Sequence, residues 1–208
     1  MSLTFYKYHG AGNDFILLDN RNLSFKVQRN VIEQMCNRRF GIGADGLILL
    51  ENSKTSDFSM RYFNSDGRET TMCGNGGRCI VAFANLLGII QDNTTFDALD
   101  GLHQAKMIDR NTVSLQLKDV EKVQQTGNDF IIDTGVPHYI RFVGDIKSAP
   151  VYTEGKRIRY DNQYSKEGIN VNFVQINDDK TISVRTYERG VENETLACGT
   201  GSVASAIA

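Results

Sequence analysis

The chain has 208 residues, 40% of them hydrophobic, which is enough to bury a core in one large or two small domains. Its 23 basic and 25 acidic side chains give a formal net charge of -2. This balance argues against a nucleic-acid-binding surface, so we expect a small-molecule partner, no nucleic acid and no membrane. No signal peptide and no run of ~18 apolar residues is visible, which predicts a cytoplasmic protein.

Strands and turns dominate the predicted first half. Two strands within residues 3–19 flank Gly10-Ala11-Gly12-Asn13-Asp14, a turn that either closes a plain hairpin or brings Asn13 and backbone amides to a ligand. Residues 27–39 have the apolar spacing of a helix. Further strands are predicted at 47–50, at 58–63 and, in short runs, from about 94 to 117.

The second half begins after a polar interval at 118–127, so we predict one domain at residues 1–120 and another at 121–208. The segment Gly127-Asn128-Asp129-Phe130-Ile131 echoes residues 12–16, although its offset of 115 residues leaves coincidence open. Strands are predicted at 169–176 and 182–187. The sequence stops inside an apolar helical run, from which we expect the second domain to be incomplete.

One motif occurs twice. Residues 69–76 and 194–201 both read E-T-x-x-C-G-[NT]-G, and the constant offset of 125 residues also relates Tyr62 to Tyr187. Each copy precedes a run of small apolar residues, so Cys73 and Cys198 are each predicted to lie where a loop enters a helix. The repeat therefore predicts two similar halves.

The four cysteines fall into two classes. Cys36 and Cys79 lie on apolar stripes of predicted helices and are expected in the core, and no zinc-like spacing predicts a metal site. Cys73 and Cys198 lie at helix starts beside glycines, where backbone N–H groups can approach an anion. A helix dipole of roughly 1–2 kcal/mol predicts a thiol pKa lowered from about 8.5 to about 7.5.

Two such cysteines suit stereoinversion at carbon. Two thiolates beside a bound carboxylate repel each other, so the pair is expected to share one proton, giving one thiol and one thiolate. Inversion needs one base and one acid on opposite faces of a planar carbanion. No pyridoxal phosphate site is evident in the sequence, so we expect no cofactor, with helix N-termini and backbone amides meeting the negative charge.

The sequence resembles the diaminopimelate epimerase family, cofactor-independent enzymes that interconvert LL- and meso-2,6-diaminopimelate on the route to lysine and peptidoglycan. The resemblance covers nearly the whole chain and is carried by the segments at residues 9–15, 39–46, 64–67, 72–79, 137–138, 187–190 and 198–201, together with Asn170. It implies an α/β (α+β) fold of two similar domains related by a pseudo-two-fold axis, each a curved mixed sheet wrapped around a central helix. It also implies a homodimer.

The same resemblance implies roles for individual residues. Cys198 would accept a proton from LL substrate and Cys73 would donate one, with His138 and Glu188 tuning the two thiols. The substrate's ammonium and carboxylate groups would be bound by Asn13, Asn64, Asn170, Glu188 and Arg189. Amides for the reacting carboxylate would come from Gly74, Asn75, Gly199 and Thr200.

Plainer interpretations remain for several of these residues. Pro137-His138 is also compatible with a turn that carries a surface histidine, and Glu188-Arg189 with a structural ion pair. His9 and His103 are interpreted as structural. Val136 and Gly46 depart from the asparagine and glutamine of other members, which predicts altered contacts to one end of the substrate.

Three competing functions follow from the same residues. One is another cofactor-independent isomerase, such as a proline-racemase-like or phenazine-biosynthesis-like enzyme. A second is a hydrolase or peroxidase that uses a single cysteine. The third is a small-molecule binder without turnover.

Overall fold

The computed structural model describes residues 3–208, which divide into two compact units, one ending at Gln116 and the other running from Leu117 to Ala208. Each unit is a mixed sheet with two helices packed on it. No helix within residues 3–208 is long and apolar enough to cross a membrane.

The first unit contains one mixed sheet. Its strands are β1 (Tyr6–Gly10), β2 (Asn13–Asp19), β3 (Gly46–Glu51), β4 (Phe58–Asn64), β5 (Glu69–Thr70), β6 (Asn93–Ala98), β7 (Gly101–Asp109) and β8 (Thr112–Leu115). Its helices are α1 (Arg29–Cys36) and α2 (Gly74–Leu86). The strand order is β1-β2-β3-β4-β6-β7-β8, with β5 paired to β4.

Helices cover this sheet on both faces. Side chains alternate between the faces of a strand, so Phe15 and Leu17 of β2 pack with α2 while Ile16 and Leu18 pack with α1. The central positions of β2, residues 15–18, and nearly every position of β3 are therefore apolar, as is typical of strands buried on both sides. Helix α2 is the central element, packed against β1, β2, β3, β7 and β8.

The second unit is a six-stranded sheet with its own pair of helices. Its strands are β9 (Val123–Thr126), β10 (Asp129–Asp133), β11 (Pro137–Phe142), β12 (Asn170–Ile176), β13 (Ile182–Glu188) and β14 (Asn193–Thr195). Its helices are α3 (Val151–Arg159) and α4 (Gly199–Ile207). The strand order is β14-β13-β12-β11-β10-β9.

The two units repeat one topology. Strands β1 to β5 pair in the sequence antiparallel, parallel, antiparallel, antiparallel, and strands β10 to β14 do the same. Helices α1 and α3 make the parallel crossovers, and α2 and α4 follow β5 and β14. The predicted two similar halves are confirmed. The echo at residues 127–131 is a coincidence, because the counterpart of β2 is β11 and not β10.

The alternation of side chains along each strand also determines which residues of the second unit face α4. Tyr139, Val171, Phe173 and Tyr187 pack on the α3 side of the sheet. Ile140 and Val174, one residue out of phase with them, pack with Ala204 of α4. His138, Asn172 and Thr186 have the same parity as this second set, so three adjacent strands carry buried polar side chains towards α4.

Three predicted elements differ from the observed ones. The helix predicted at 27–39 is shorter, because the Asn37 carboxamide accepts hydrogen bonds from the amides of Arg39 and Phe40 and closes a turn. Helix α3 was not predicted, because it buries only Val151, Gly155 and Ile158 and therefore has a weak apolar pattern in the sequence. The polar interval at 118–127 contains the edge strand β9, whose backbone pairs with β10 without needing apolar side chains.

Gly155 provides a test of the packing between α3 and the sheet. A Cβ at this position would lie 2.5 Å from the Tyr187 Cβ, which is fully buried. We expect Gly155→Ala to destabilise the protein by roughly 1–3 kcal/mol through overpacking, although alanine favours helices by about 1 kcal/mol.

The control is Gly144→Ala, where a Cβ would meet nothing within 4 Å. Chemical denaturation of both variants measures the difference. A Gly155→Ala protein as stable as Gly144→Ala would show that α3 can move away from Tyr187 at little cost.

Candidate active site

Cys73 is the N-cap residue of α2. Its backbone is extended (φ −104°, ψ 148°), and its Sγ accepts a hydrogen bond of 3.2 Å from the Gly76 amide. A Cβ at Gly76 would lie 3.1 Å from Ile48 and 3.2 Å from the Cys73 sulfur, so glycine lets the amide approach the thiol. The predicted placement of this cysteine at a helix start is confirmed.

Polar side chains meet beside this helix start. Asn13 lies at the start of β2, accepts a 3.3 Å hydrogen bond from the Asn75 carboxamide and donates one of 2.8 Å to Asp45. Arg78 donates to the Asn75 Oδ1. Asn64 is exposed at the end of β4, where it pairs with Gly46. The turn closes a hairpin between β1 and β2 and places Asn13 against Asn75, two residues after Cys73.

Cys198 is the N-cap residue of α4, with the same extended backbone (φ −124°, ψ 105°). A Cβ at Gly201 would lie 3.2 Å from the Cys198 Sγ, the same separation as at Gly76 and Cys73. The two copies thus share an extended N-cap backbone and a close glycine, whereas the cap hydrogen bond to the sulfur is formed at Cys73 and not at Cys198. In addition, the Thr200 hydroxyl lies 3.6 Å from the Cys198 sulfur.

His138 is fully buried beneath the start of α4, so the interpretation as a surface histidine is wrong. Its Nε2 lies 3.0 Å from the Thr200 Oγ1, and its Nδ1 lies 3.0 Å from the Asn172 Nδ2. Burial lowers the His138 pKa to about 4, so the imidazole is neutral near pH 7. His138 therefore reaches Cys198 through the Thr200 hydroxyl.

Asn170, Glu188 and Arg189 form the neighbouring part of the second unit. The Arg189 amide donates a 2.8 Å hydrogen bond to the buried Asn170 Oδ1, and its guanidinium donates one of 2.9 Å to the Glu167 carbonyl. The Glu188 carboxylate accepts a 2.8 Å hydrogen bond from the Thr195 hydroxyl. These contacts fix the backbone at 188–189, next to the strand that leads to Cys198.

Burial dominates the acidity of Cys198. Desolvation and then the charge of Glu188 raise its pKa above that of a free thiol, against the lowering effects of the Thr200 hydroxyl and the Gly201 amide. The lowered pKa predicted from the helix dipole is therefore wrong for this thiol. A helix dipole lowers the pKa of a hydrated thiol, whereas the Cys198 thiol has lost much of its hydration.

The remaining cysteines and histidines have structural surroundings. Cys36 and Cys79 are buried as predicted, and desolvation raises their pKa values to about 11 and about 12. The His9 ring accepts a hydrogen bond from the Gly12 amide, and His103 stacks on Phe96 with ring centroids 5.3 Å apart. No group of histidine, cysteine, aspartate and glutamate side chains within residues 3–208 is arranged to bind a metal.

Two departures from the family pattern have local consequences. A Cβ at Gly46 would lie 2.5 Å from the Phe63 carbonyl oxygen and 2.6 Å from the Tyr62 ring, so the tyrosine occupies the space of a longer side chain. Val136 is half-buried, and its carbonyl accepts a hydrogen bond from the Thr134 amide. Neither position offers a polar side chain.

Several residues with clear structural roles were missed in the sequence. The glutamate of each repeat binds an arginine on the preceding strand, Glu69 with Arg61 at 2.8 Å and Glu194 with Arg185 at 2.6 Å. Asn172 was also missed. Its signal was available, since a buried polar residue alternates with apolar ones along β12.

Comparison with known proteins decides the family. A model of the family described as diaminopimelate epimerase matches residues 5–123 and 130–208. The chain belongs to the diaminopimelate epimerase family. The diaminopimelate epimerase of Flavobacterium psychrophilum is 53% identical over 204 residues, a match that covers 98% of this chain and 80% of the relative. That of Chlorobaculum tepidum is 47% identical, with 95% and 80% covered.

Solved structures outside the diaminopimelate epimerase family share the fold. A phenazine biosynthesis protein of the PhzF family from Bacillus anthracis has a TM-score of 0.69 at 14% identity, covering 96% of this chain and 76% of that one. A probable proline racemase from Agrobacterium radiobacter has a TM-score of 0.65 at 13% identity, covering 99% and 77%. The predicted mixed α/β fold is confirmed.

The charge of Glu188 gives a testable property of the site. Because its carboxylate raises the Cys198 pKa, Glu188→Gln should lower that pKa and increase the thiolate fraction near pH 8. We expect Cys198 to be alkylated by iodoacetamide roughly threefold faster or more, as measured by mass spectrometry of the Cys198 peptide.

The matched control is Glu121→Gln, which removes an exposed carboxylate that does not act on Cys198. It should leave the rate unchanged. Slower alkylation in Glu188→Gln would mean that this side chain assists deprotonation of Cys198.

Proposed function

We propose that this protein interconverts LL- and meso-2,6-diaminopimelate with Cys73 and Cys198 as its two proton carriers and without a cofactor. The observation that carries the proposal is the repeated cysteine N-cap, in which each thiol lies at a helix start beside a glycine. Membership of the diaminopimelate epimerase family supports the substrate.

The reaction then needs two proton transfers. In the LL direction the Cys198 thiolate takes the α-proton, and the electron pair of the broken C–H bond delocalises into the substrate carboxylate. The Cys73 thiol then donates its proton to the opposite face of the same carbon, leaving Cys73 as the thiolate. In the meso direction the two cysteines exchange roles.

Amide groups at the helix starts meet the charge that develops on the carboxylate. Gly74 and Asn75 begin α2, and Gly199 and Thr200 begin α4. The first amides of a helix have no partner within it, and the helix dipole adds a positive potential at the same place. This electrostatic stabilisation replaces the electron sink that a cofactor would provide.

The other polar residues are assigned to the rest of the substrate. We assign Asn13, Asn64, Asn170, Glu188 and Arg189 to its ammonium and carboxylate groups. Asn13 and Asn75 are in contact, which supports a shared contribution from the first unit. Asn170 fixes the Arg189 backbone, which supports a shared contribution from the second.

The substrate assignment is tested by incubating the protein with LL-diaminopimelate, meso-diaminopimelate or L-proline in deuterium oxide. We expect interconversion of the two diaminopimelates with deuterium at the inverted α-carbon, and no change in proline. Racemisation of proline without turnover of diaminopimelate would assign the protein to the proline-racemase-like alternative. Binding of diaminopimelate without deuterium incorporation would favour the alternative of a small-molecule binder without turnover.

Arg189 is proposed to bind a substrate carboxylate through two parallel N–H groups, which lysine lacks. Arg189→Lys should therefore lower kcat/KM at least roughly tenfold while the protein remains folded, because a charge-assisted hydrogen bond is worth about 1.5–3 kcal/mol. The control is Arg157→Lys on the exposed face of α3, which should retain wild-type kinetics. Near-normal kinetics for Arg189→Lys would instead favour a structural ion pair at 188–189.

A homodimer and a cytoplasmic location belong to the same proposal. All four cysteines are free, which supports a reducing compartment. Sedimentation at micromolar concentration tests the dimer.

A further inference from the structure

A row of buried polar side chains joins three strands to the Cys198 thiol. Thr186 of β13, Asn172 of β12 and His138 of β11 lie on the face that packs against α4, and Thr200 of α4 completes the row. Asn172 is fully buried and is hydrogen-bonded at both ends of its carboxamide. One backbone carbonyl determines which atom donates and which atom accepts in each hydrogen bond of this row.

That carbonyl belongs to Tyr139 and lies 3.2 Å from the Asn172 side-chain nitrogen. A carbonyl only accepts hydrogen bonds, so the amide nitrogen of Asn172 has to face it. The Asn172 oxygen then accepts from the Thr186 hydroxyl at 2.8 Å. A flipped carboxamide would set its oxygen against the Tyr139 oxygen, which is repulsive inside a protein.

The orientation of Asn172 decides the tautomer of His138. The second hydrogen of the Asn172 nitrogen points at the His138 Nδ1, 3.0 Å away, so Nδ1 must be an acceptor. The neutral ring therefore carries its proton on Nε2 and donates it to the Thr200 Oγ1 at 3.0 Å. The hydroxyl proton of Thr200 is left for the Cys198 sulfur at 3.6 Å.

We propose that Asn172 is a positioning residue that sets the His138 tautomer and thereby directs the Thr200 hydroxyl as a donor to the Cys198 thiolate. In the opposite tautomer Thr200 would donate to Nε2 and turn a lone pair towards the sulfur, which favours the protonated thiol. This inference rests on the proposed function only for the catalytic value of the thiolate.

The arrangement is specific to Cys198. The first copy of the motif has Asn75 at the position of Thr200, and its carboxamide contacts Asn13 and Arg78. The charged groups around the row are Glu188, which acts on Cys198, and Asp133 and Arg189, which act in opposite directions on His138. None of them is altered by the substitutions that test the row.

The first test is direct observation of the tautomer by NMR of protein labelled with ¹⁵N-histidine. The chain has 3 histidines, so the His138 signals can be assigned by substitution of His9 and His103. At neutral pH we expect an unprotonated Nδ1 and a protonated Nε2 in His138. A protonated Nδ1 would overturn the proposal.

The second test is the pH dependence of Cys198 alkylation. Thr200→Val removes the hydroxyl, and we expect roughly tenfold slower alkylation near pH 7.5 with the midpoint moved to higher pH, whereas Thr200→Ser should restore the wild-type profile. Asn172→Leu should slow the reaction similarly. Combined with Thr200→Val it should add nothing, because both act through the same hydroxyl.

Wild-type alkylation of Cys198 in Thr200→Val would overturn the proposal, as would fully additive effects in the double variant. If Asn172→Leu does not fold, two measurements still test the proposal. They are the comparison of Thr200→Val with Thr200→Ser and the NMR observation of the His138 tautomer. These readouts need no substrate. A protein that shows the expected tautomer and alkylation profile but leaves diaminopimelate unchanged would contradict the proposed function and not this inference.

Discussion

The contact on which this structure depends is the one between a cysteine sulfur and the amides at the start of its own helix. Glycine stands three residues after each cysteine, where a Cβ would lie 3.2 Å from the sulfur and, at Gly201, also 2.3 Å from the Asn172 Oδ1. The contact also requires that the chain enter the helix from an extended strand. The short strands β5 and β14 provide that entry, and the Arg61–Glu69 and Arg185–Glu194 pairs hold them to β4 and β13. The repeated motif thus specifies where the cysteine sulfur lies at the helix start, as well as the cysteine itself.

Burial of such a sulfur has two opposing consequences for catalysis. It raises the pKa of Cys198, so the thiolate is scarce near pH 7, but the thiolate that does form is a stronger base towards an α-proton. Local donors then decide whether enough thiolate is present. Around Cys198 these donors are uncharged, and the buried neutral His138 adds no net charge beside Glu188. The second unit therefore stabilises a thiolate through oriented dipoles and not through a fixed cation.

Much of this could be predicted from local patterns, because the features concerned are local. The apolar runs of β2 to β4, the cysteines at helix starts and the buried Cys36 and Cys79 all follow from residue type and periodicity. Helix α3 was missed because few of its side chains are apolar. The length of α1 was overestimated because the Asn37 side chain competes with the helix for backbone amides.

The electrostatics could not be predicted in the same way. The pKa of Cys198 depends on burial by residues distant in sequence, and a sequence contains no direct measure of burial. The role of Asn172 depends on the Tyr139 carbonyl, which belongs to the neighbouring strand β11. Both features exist only once the strands have paired in the observed register.

The central claim is that each of two cysteines transfers the proton on one face of the α-carbon, and single substitutions measure it most directly. Cys73→Ala and Cys198→Ala should each lose interconversion of LL- and meso-diaminopimelate by roughly 10²-fold or more, since general acid–base catalysis typically contributes 10²–10⁴-fold. Cys36→Ala, which removes a buried thiol from the core of the first unit, should keep the activity of its folded fraction. Interconversion by Cys198→Ala at close to the wild-type rate would contradict the account and leave a mechanism that needs only one cysteine.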